Sequence, residues 1–386
     1  MSAVAAPQRD LRLDFFRGLA LWLIFVDHIP NNIVNWVTVR NFGFSDAAEI
    51  FVFISGYSAA IAYSRPMRES GFVIASARIL KRVWQLYVAF VFLLAIFFAQ
   101  ISHVARTFEN PLFAEEMNIV EMLRQPDVFL PRALILQFNP VNMDILPVYI
   151  VLLLFFPIVL WLLLKSPPIA LMASLALYVA AHVFGWNLPT YPHGSWFINP
   201  LNWQLLFVFG AWCALDGAKR IALLIRSPVT LVLAAAYLLF AFLVVRSWHW
   251  PLLGQYHPAW LEDILYPIDK SNLDPVRFVH LLAFAVIVAR FVPPDWSAFR
   301  SRALRPAILC GRHSLEIFCL GVFLSFAGHF VLVETSGAWP MQLAVSAAGV
   351  GIMVAAAAWL ELFKDLDKRY GPDGRSSEAD IVGGYA

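Results

Sequence analysis

Four ionisable residues flank the uncharged centre of the first apolar segment. Asp14 and Arg17 precede it, and Asp27 and His28 follow it. Ionisable groups inside a membrane segment are costly, so each of them is a candidate functional residue. Histidine is the common proton acceptor near neutral pH, and arginine is a common partner of phosphate. These residue types predict proton transfer at His28 and anion binding at Arg17.

The spacing of Arg17 and His28 predicts that both side chains lie on one face of a helix. They are 11 residues apart, which at about 100° per residue returns to within about 20° of the same direction. Their separation along the helix axis is roughly 16 Å. A coenzyme A thioester fits this arrangement, because its phosphates need a cation at the entrance while its long arm carries the acyl group inward.

The same residues also allow a purely structural interpretation. Arg17 can pair with Asp14 and reach the membrane surface, while His28 caps a helix end. Asp27 is a candidate for orienting His28, although neighbouring helix residues point in different directions. Pro30 is expected to weaken or kink the helix. The spacing alone leaves both interpretations open.

The composition places these residues in a polytopic membrane protein. Of the 386 residues, 60% are hydrophobic and only 14% are charged. Apolar runs of roughly 17 to 25 residues indicate transmembrane helices. We expect an all-α bundle in a single transmembrane domain over residues 1–370, with a disordered cytoplasmic tail at 371–386 and no cleavable signal peptide. Ten helices are predicted, near 13–30, 47–63, 83–101, 145–164, 169–185, 202–215, 229–246, 276–292, 314–333 and 341–363.

The distribution of positive charge predicts the orientation of these helices. With the N-terminus inside, 21 of the 28 Lys and Arg residues fall on the cytoplasmic side, as the positive-inside rule requires. Both termini are then cytoplasmic. The long outer segments, roughly 102–144 and 247–275, are rich in aromatic and polar residues. Such residues suit either sugar binding or an interfacial belt.

Several motifs together resemble a known family. Arg17 and His28, followed by FVFISGY at 51–57, resemble the membrane-bound acyltransferase type 3 superfamily. The superfamily resemblance implies an acyltransferase type 3-like bundle that moves acyl groups from a cytoplasmic donor, acyl-CoA, to glycans outside the cytoplasm. It also implies that His28 is catalytic and that Arg17 belongs to the donor site. Within the superfamily the chain is similar to the OpgC family at LDFFRGL (13–19), DHIP (27–30), GFSDAAEI (43–50), NMDILP (142–147) and SLEIF (314–318). The similarity reaches about residue 365, and the OpgC resemblance implies succinylation of osmoregulated periplasmic glucans by a protein of the bacterial inner membrane.

Three further residues are candidates for the donor site. Arg78 and Arg82 lie at the predicted cytoplasmic start of the third helix, where the positive-inside bias alone also accounts for them. Glu316 lies about one turn inside the ninth helix and needs a partner there. We expect that partner to be Arg312 or Arg17, either for structural pairing or for tuning of the donor site.

Four residues on the outer side are candidates for binding the acceptor. Asp46 and Glu49 have the spacing of a helix N-cap and its third residue, so they either cap the second helix or lie at the mouth of a cavity. Asn142 and Asp144 stand at the outer entrance to the fourth helix, where Asp144 can simply start the helix. A further group can hold an outer loop together or bind acceptor hydroxyls: Asp269, Lys270 and Asn272.

Other functional classes find little support in the sequence. The net charge of +2 gives no footprint for nucleic acid. No cluster has metal-ligand spacing, and we expect no permanently bound cofactor. The expected partners are acyl-CoA, a periplasmic glucan and membrane lipids, with glucan-synthesising proteins or a second copy of the chain as further candidates. The alternative function is a glycan or lipid transporter or flippase, in which the same charges line a transport path without covalent chemistry.

Overall fold

The computed structural model of the protein describes residues 10–250 and 258–370, and these residues form helices and no β-strand. In chain order the helices are α1 Leu11–Asp27, α2 Ala47–Glu69, α3 Gly71–Thr107, α4 Leu112–Glu116, α5 Val120–Arg124, α6 Pro126–Leu134, α7 Ile145–Lys165, α8 Pro167–Phe184, α9 Pro200–Trp212, α10 Ala218–Arg220, α11 Ala222–Arg226, α12 Pro228–Ser247, α13 Ala259–Leu265, α14 Pro275–Phe291, α15 Arg305–Arg312, α16 Ser314–Glu334 and α17 Trp339–Tyr370.

Each of the ten predicted apolar segments coincides with one of these helices, which confirms the all-α polytopic fold. Seven of the described helices are long and apolar enough to cross a membrane, namely α2, α3, α7, α8, α12, α16 and α17. The other three segments form shorter helices: α1 and α14 have 17 residues each, and α9 has 13. The single domain stays a prediction, and the tail at 371–386 lies outside the described residues.

Two predictions about helix ends are wrong. First, α1 ends at Asp27, and the amide of His28 donates to the carbonyl of Ile24 at 3.0 Å. Pro30 therefore follows the helix instead of kinking it. Second, the predicted segments near 47–63 and 83–101 are too short at the ends that face each other, because α2 continues to Glu69 and α3 begins at Gly71. Gly71 has a φ of +84°, which glycine adopts without strain.

Helix α1 lies inside the bundle, in contact with α2, α15 and α16. Two glycines set its distance from α15. A Cβ at Gly18 would collide with the carbonyl of Ala307, and one at Gly311 would collide with the carbonyl of Asp14. Small residues allow helix backbones to approach closely in membranes. This close packing brings the end of α15 next to the start of α1.

Helix α1 thus runs between two faces of the bundle, which we call the Arg17 side and the His28 side. After α1, the chain forms two short 3₁₀ turns on the His28 side, at Ile33–Val37 and Val39–Asn41, before α2 returns. The starts of α7 and α14 lie on this side as well, because Asn142 contacts His28 and Arg277 contacts α2 near its first turn. Loops from distant parts of the sequence therefore meet around the end of α1.

Candidate active site

A cavity of about 230 Å³ opens between helices α1, α2, α3, α7, α15 and α16. Its lining includes three arginines, Arg17, Arg82 and Arg312, and no carboxylate. Serine and tyrosine hydroxyls supply further hydrogen-bond donors: Ser55, Ser58, Tyr63, Tyr149 and Ser314. Guanidinium and hydroxyl donors suit an anionic ligand such as a phosphate. Anion binding at Arg17, which the sequence predicts, stays a prediction.

Contacts with α1, α2 and α15 hold Arg17 inside the bundle. Its guanidinium donates to the carbonyl of Gly311 at 3.2 Å and to the hydroxyl of Ser58. It also pairs with Asp14 at 3.6 Å, as the spacing of the two residues predicts. Only 14% of the Arg17 side chain is exposed. These contacts fix the cation against α2 and α15 at the wall of the cavity.

Arg312 is a cavity residue that the sequence analysis did not assign. Its guanidinium pairs with Glu361 of α17 at 2.6 Å and lies 3.9 Å from Asp14. Glu361 also accepts from His313 at 2.8 Å. The predicted pairing of Glu316 with Arg312 or Arg17 is wrong, because both arginines face other carboxylates and Glu316 is exposed.

The two donor-site candidates on α3 have different positions. Arg82 lines the cavity, and its guanidinium donates to Gln85 at 3.1 Å. Arg78 is exposed and is not among the lining residues. Four residues earlier on a helix corresponds to about 6 Å along the axis, so Arg78 lies nearer the start of α3. Its role in donor binding stays a prediction.

The cavity extends from the Arg17 side toward the His28 side. Its lining on α2 runs from Tyr63 to Phe51, which corresponds to about 18 Å of helix. On α7 the lining includes Leu146, two residues after Asp144. His28 is not among the lining residues. The cavity therefore covers most of the distance between the two sides and ends near the first turns of α2 and α7.

His28 lies where α1 ends, and polar groups surround it. The side-chain amide of Asn142 donates to its carbonyl at 3.3 Å. Its Nδ1 is buried and has no hydrogen-bond partner within residues 10–250 and 258–370. Asp27 accepts from the hydroxyl of Thr38 at 2.7 Å, which ties it to the turns that follow α1. The roles of His28 and Asp27 in catalysis stay predictions.

Arg17 and His28 lie near opposite ends of one stretch of α2. Arg17 contacts Ser58 in the middle of α2, and Asp46, which precedes the first residue of α2, lies within electrostatic range of His28. Ser58 and Asp46 are 12 positions apart, so α1 and α2 run in opposite directions. The common helix face that the spacing of Arg17 and His28 predicts stays a prediction, since α1 ends at Asp27, one residue before His28.

Four charged residues form what we call the His28-side cluster: Asp46, Glu49, Lys270 and Arg277. Asp46 accepts from Lys270 at 2.7 Å and from Arg277 at 3.4 Å. Glu49, which is fully buried, pairs with Arg277 at 2.5 Å. Burial opposes ionisation of Asp46, but Lys270 and Arg277 outweigh it and hold the pKa of its carboxyl below the usual range.

The predicted capping of α2 by Asp46 and Glu49 is confirmed. Asp46 accepts from the amide of Ala48 at 2.8 Å, and Glu49 accepts from the amide of Asp46 at 2.9 Å. Their second predicted role, in binding the acceptor, stays a prediction. The burial of Glu49 behind Arg277 leaves Asp46 as the more accessible of the two carboxylates.

Asn142 and Asp144 lie at the start of α7, as predicted. Asn142 has a φ of 71°, a conformation that asparagine tolerates better than most residues. Asp144 occupies the N-cap position, but its side chain makes no capping hydrogen bond. Burial raises the pKa of Asp144 to about 7. Asp144 is therefore not a simple helix cap.

The fold and the site together define a polytopic membrane protein with an arginine-lined cavity on one side and a histidine among charged groups on the other. A family model described as OpgC protein matches residues 9–365. The chain belongs to the OpgC family, which implies a role in the modification of osmoregulated periplasmic glucans. A comparison with curated proteins gives no significant match.

Proposed function

We propose that this protein is an inner-membrane O-acyltransferase that moves a succinyl group from cytoplasmic succinyl-CoA to hydroxyls of periplasmic glucans. The observation that carries the proposal is the cavity with three arginines, which extends from the Arg17 side toward His28. Family membership supports glucan as the acceptor. No permanently bound cofactor is needed, because the thioester itself supplies the activated acyl group.

In this proposal the cavity binds the donor. Arg17, Arg82 and Arg312 hold the phosphates of coenzyme A, and the extended arm follows α2 from Tyr63 toward Phe51. The deeper wall is apolar, with Leu86, Leu146 and Phe318 among its residues. Such a wall limits the access of water to a thioester, which would otherwise be hydrolysed. Arg78 and Glu316 remain candidates for contacts outside the entrance.

His28 performs the proton transfer. It takes the proton of a glucan hydroxyl while the hydroxyl oxygen attacks the thioester carbonyl carbon. The carbon–sulfur bond then breaks, and the departing thiolate takes the proton from His28. Asn142 holds the backbone of His28, and Asp27 and Thr38 hold the turn that follows it.

A two-step route is equally compatible with this arrangement. His28 attacks the thioester through its unprotonated nitrogen, and the thiolate leaves with the imidazole proton. A glucan hydroxyl then attacks the acyl-imidazole and gives its proton back to the ring. The two routes differ in whether a labelled acyl group can be trapped on His28 without glucan.

The acceptor approaches from the His28 side. Asp46, Glu49, Asn142 and Asp144 are the proposed residues for its hydroxyls, with Asp46 and Asp144 offering carboxyl groups near the end of α1. The excess of Lys and Arg on the Arg17 side favours that side as cytoplasmic, so that both termini are cytoplasmic and His28 lies toward the periplasm. Glucan-synthesising proteins or a second copy of the chain remain candidate partners.

Mass spectrometry of periplasmic glucans tests the proposal. Cells that carry the His28→Ala protein at normal abundance should lose succinyl substituents by at least about 10²-fold, since proton transfer contributes about that factor. His103→Ala, at an exposed histidine near the end of α3, is the matched control and should leave the glucans unchanged. Unaltered succinylation in the His28→Ala cells overturns the proposal. Unmodified glucans that fail to reach the periplasm indicate a transporter instead.

A further inference from the structure

Lys270 lies in a loop that is held in place by an unusual number of buried polar contacts. The indole of Trp203 donates to the carbonyl of Lys270 at 3.1 Å and to that of Ser271 at 3.2 Å. The amide of Asn199 donates to the carbonyl of Ser271 at 2.9 Å. Trp203 and Asn199 are both fully buried. The backbone on either side of Lys270 is therefore fixed to the start of α9.

Further contacts anchor the rest of this loop. The side-chain amide of Asn199 donates to the side-chain oxygen of Asn272 at 2.9 Å, and the side-chain amide of Asn272 donates to the carboxylate of Asp269 at 2.6 Å. The hydroxyl of Tyr178 donates to the carbonyl of Leu273 at 2.7 Å. Satisfied buried networks of this kind restrict a loop to one conformation. The position of the Lys270 side chain is thus set by residues of α8 and α9 that lie away from the site.

Lys270 is the member of the His28-side cluster that a ligand can reach. One third of its side chain is exposed (33%), against 10% for Arg277 and none for Glu49. Its ammonium donates to Asp46 at 2.7 Å. An ammonium has three donors, so two remain for an incoming group.

The charge of Lys270 acts on the residues at the proposed reaction centre. Lys270 lies within electrostatic range of His28, Asp27 and Asp144. Burial opposes its charge, but Asp46 and Glu49 outweigh burial and raise the pKa of Lys270, so it stays an ammonium ion. Arg277 contacts Asp46 and Glu49 as well. Both carboxylates therefore keep a cation when the ammonium turns toward a ligand.

We propose that Lys270 binds the free carboxylate of the transferred acyl group and so gives the protein its preference for a succinyl donor over a neutral acyl donor. This inference rests on the proposed acyl transfer at His28. In this partly buried region, a fixed ammonium binds a carboxylate more strongly than it binds a neutral acetyl group or a glucan hydroxyl. The reason is that a charge-assisted hydrogen bond is about twice as strong as a neutral one. Trp203 and Asn199 act as positioning residues for Lys270.

The test compares two donors on the purified protein in lipid vesicles, with glucan as the acceptor and either succinyl-CoA or acetyl-CoA. The wild-type protein should favour succinyl-CoA. Lys270→Met should lower the rate with succinyl-CoA by tenfold or more, as expected for loss of a partly buried charged partner. The rate with acetyl-CoA should stay within about threefold of the wild-type rate, and Lys270→Arg should restore most of the preference. Lys219→Met, at an exposed lysine paired with Asp216, is the matched control.

The outcomes separate the inference from the proposed function. If the wild-type protein transfers neither acyl group, the proposed function fails and the inference fails with it. If it transfers succinyl groups but Lys270→Met slows both donors equally, or changes only the KM for glucan, the inference alone is overturned. Should Lys270→Met not fold, Trp203→Phe removes the indole donor that holds the loop. Trp203→Phe should lower the preference for succinyl-CoA over acetyl-CoA by a smaller factor than Lys270→Met. An unchanged preference in Trp203→Phe overturns the inference.

Discussion

The two charged regions of the molecule are neutralised in different ways. On the Arg17 side, three arginines line an open cavity, and the carboxylates that pair with them, Asp14 and Glu361, are not part of the lining. On the His28 side, two carboxylates and two cations of the cluster meet one another at 2.5–3.4 Å. In the first region the cations line an open volume, while in the second region the charged groups pair with one another.

In the proposed reaction, the two regions have different tasks. Cations beside an open volume suit a mobile anion, which can enter and leave. A compact set of ion pairs is expensive to desolvate and mainly fixes geometry, since removing one partner leaves a buried charge. A donor rich in phosphate has to be exchanged at every turnover, whereas the backbone of His28 and the two carboxylates of the His28-side cluster stay in place. The predictions below change one region at a time.

Arg17→Ala should have the largest effect on donor binding. It removes a cation from the cavity wall and breaks the ion pair of Arg17 with Asp14, which also lies 3.9 Å from Arg312. Loss of a buried charged partner costs about 2–5 kcal/mol, so the KM for succinyl-CoA should rise by at least about 30-fold. Steady-state kinetics with the purified protein measures it. Arg78→Ala is the comparison, and an equal effect of that variant would place the donor phosphates outside the cavity.

Gly311→Ala should destabilise the junction of α1 and α15. A Cβ at this position collides with the carbonyl of Asp14, and such overpacking costs about 1–3 kcal/mol. Thermal unfolding in detergent should show a lower Tm, together with weaker donor binding because Arg17 bonds to the Gly311 carbonyl. Gly337→Ala, where a Cβ meets nothing, is the control. An unchanged Tm for Gly311→Ala would mean that the two helices are not in contact.

Glu361→Gln should have a smaller effect, because it frees Arg312 without removing it. The pair at 2.6 Å is partly exposed, and such a pair contributes about 1 kcal/mol at most. The KM for succinyl-CoA should change by no more than about fivefold. Glu69→Gln, in the exposed pair with Arg65, serves as the control and should change nothing. A loss as large as that of Arg17→Ala would show that Glu361 itself contacts the donor.

Asp144→Asn should have a small effect on stability that depends on pH. Because burial raises the pKa of Asp144 from 3.8 to about 7, the folded state keeps its proton at a pH where the unfolded state has lost it. Stability from this group is therefore full below pH 4 and falls as the pH rises toward 7. The variant should raise the Tm by a few degrees at pH 8 and weaken the pH dependence between pH 4 and 7. Thermal scans that show the same pH dependence in both proteins would contradict this.

Local patterns in the sequence predicted the parts of the structure that depend on neighbours along the chain. The apolar runs located ten of the described helices, the spacing of Asp46 and Glu49 predicted the capping of α2, and the spacing of Asp14 and Arg17 predicted their ion pair. Each of these features is decided within a few residues. The physical reason is that helix geometry fixes which side chains three or four positions apart can meet.

Contacts between distant segments were not predictable in the same way. Lys270 binds Asp46 across 224 positions, and Arg312 binds Glu361 across 49. Glu316 was the nearer partner for Arg312 in sequence, but it faces outward, and α17 supplies the carboxylate instead. No periodicity reveals which helices will be adjacent. In the sequence, Arg312 looks like an ordinary residue of the positive-inside distribution.

The most direct measurement is an electron cryomicroscopy structure with a non-hydrolysable analogue of succinyl-CoA. We expect the phosphates beside Arg17, Arg82 and Arg312, and the acyl end past Phe51 and Leu146 within reach of His28. An analogue bound with its phosphates among the ion pairs of the other side, or with its acyl end turned away from the imidazole, would contradict this arrangement.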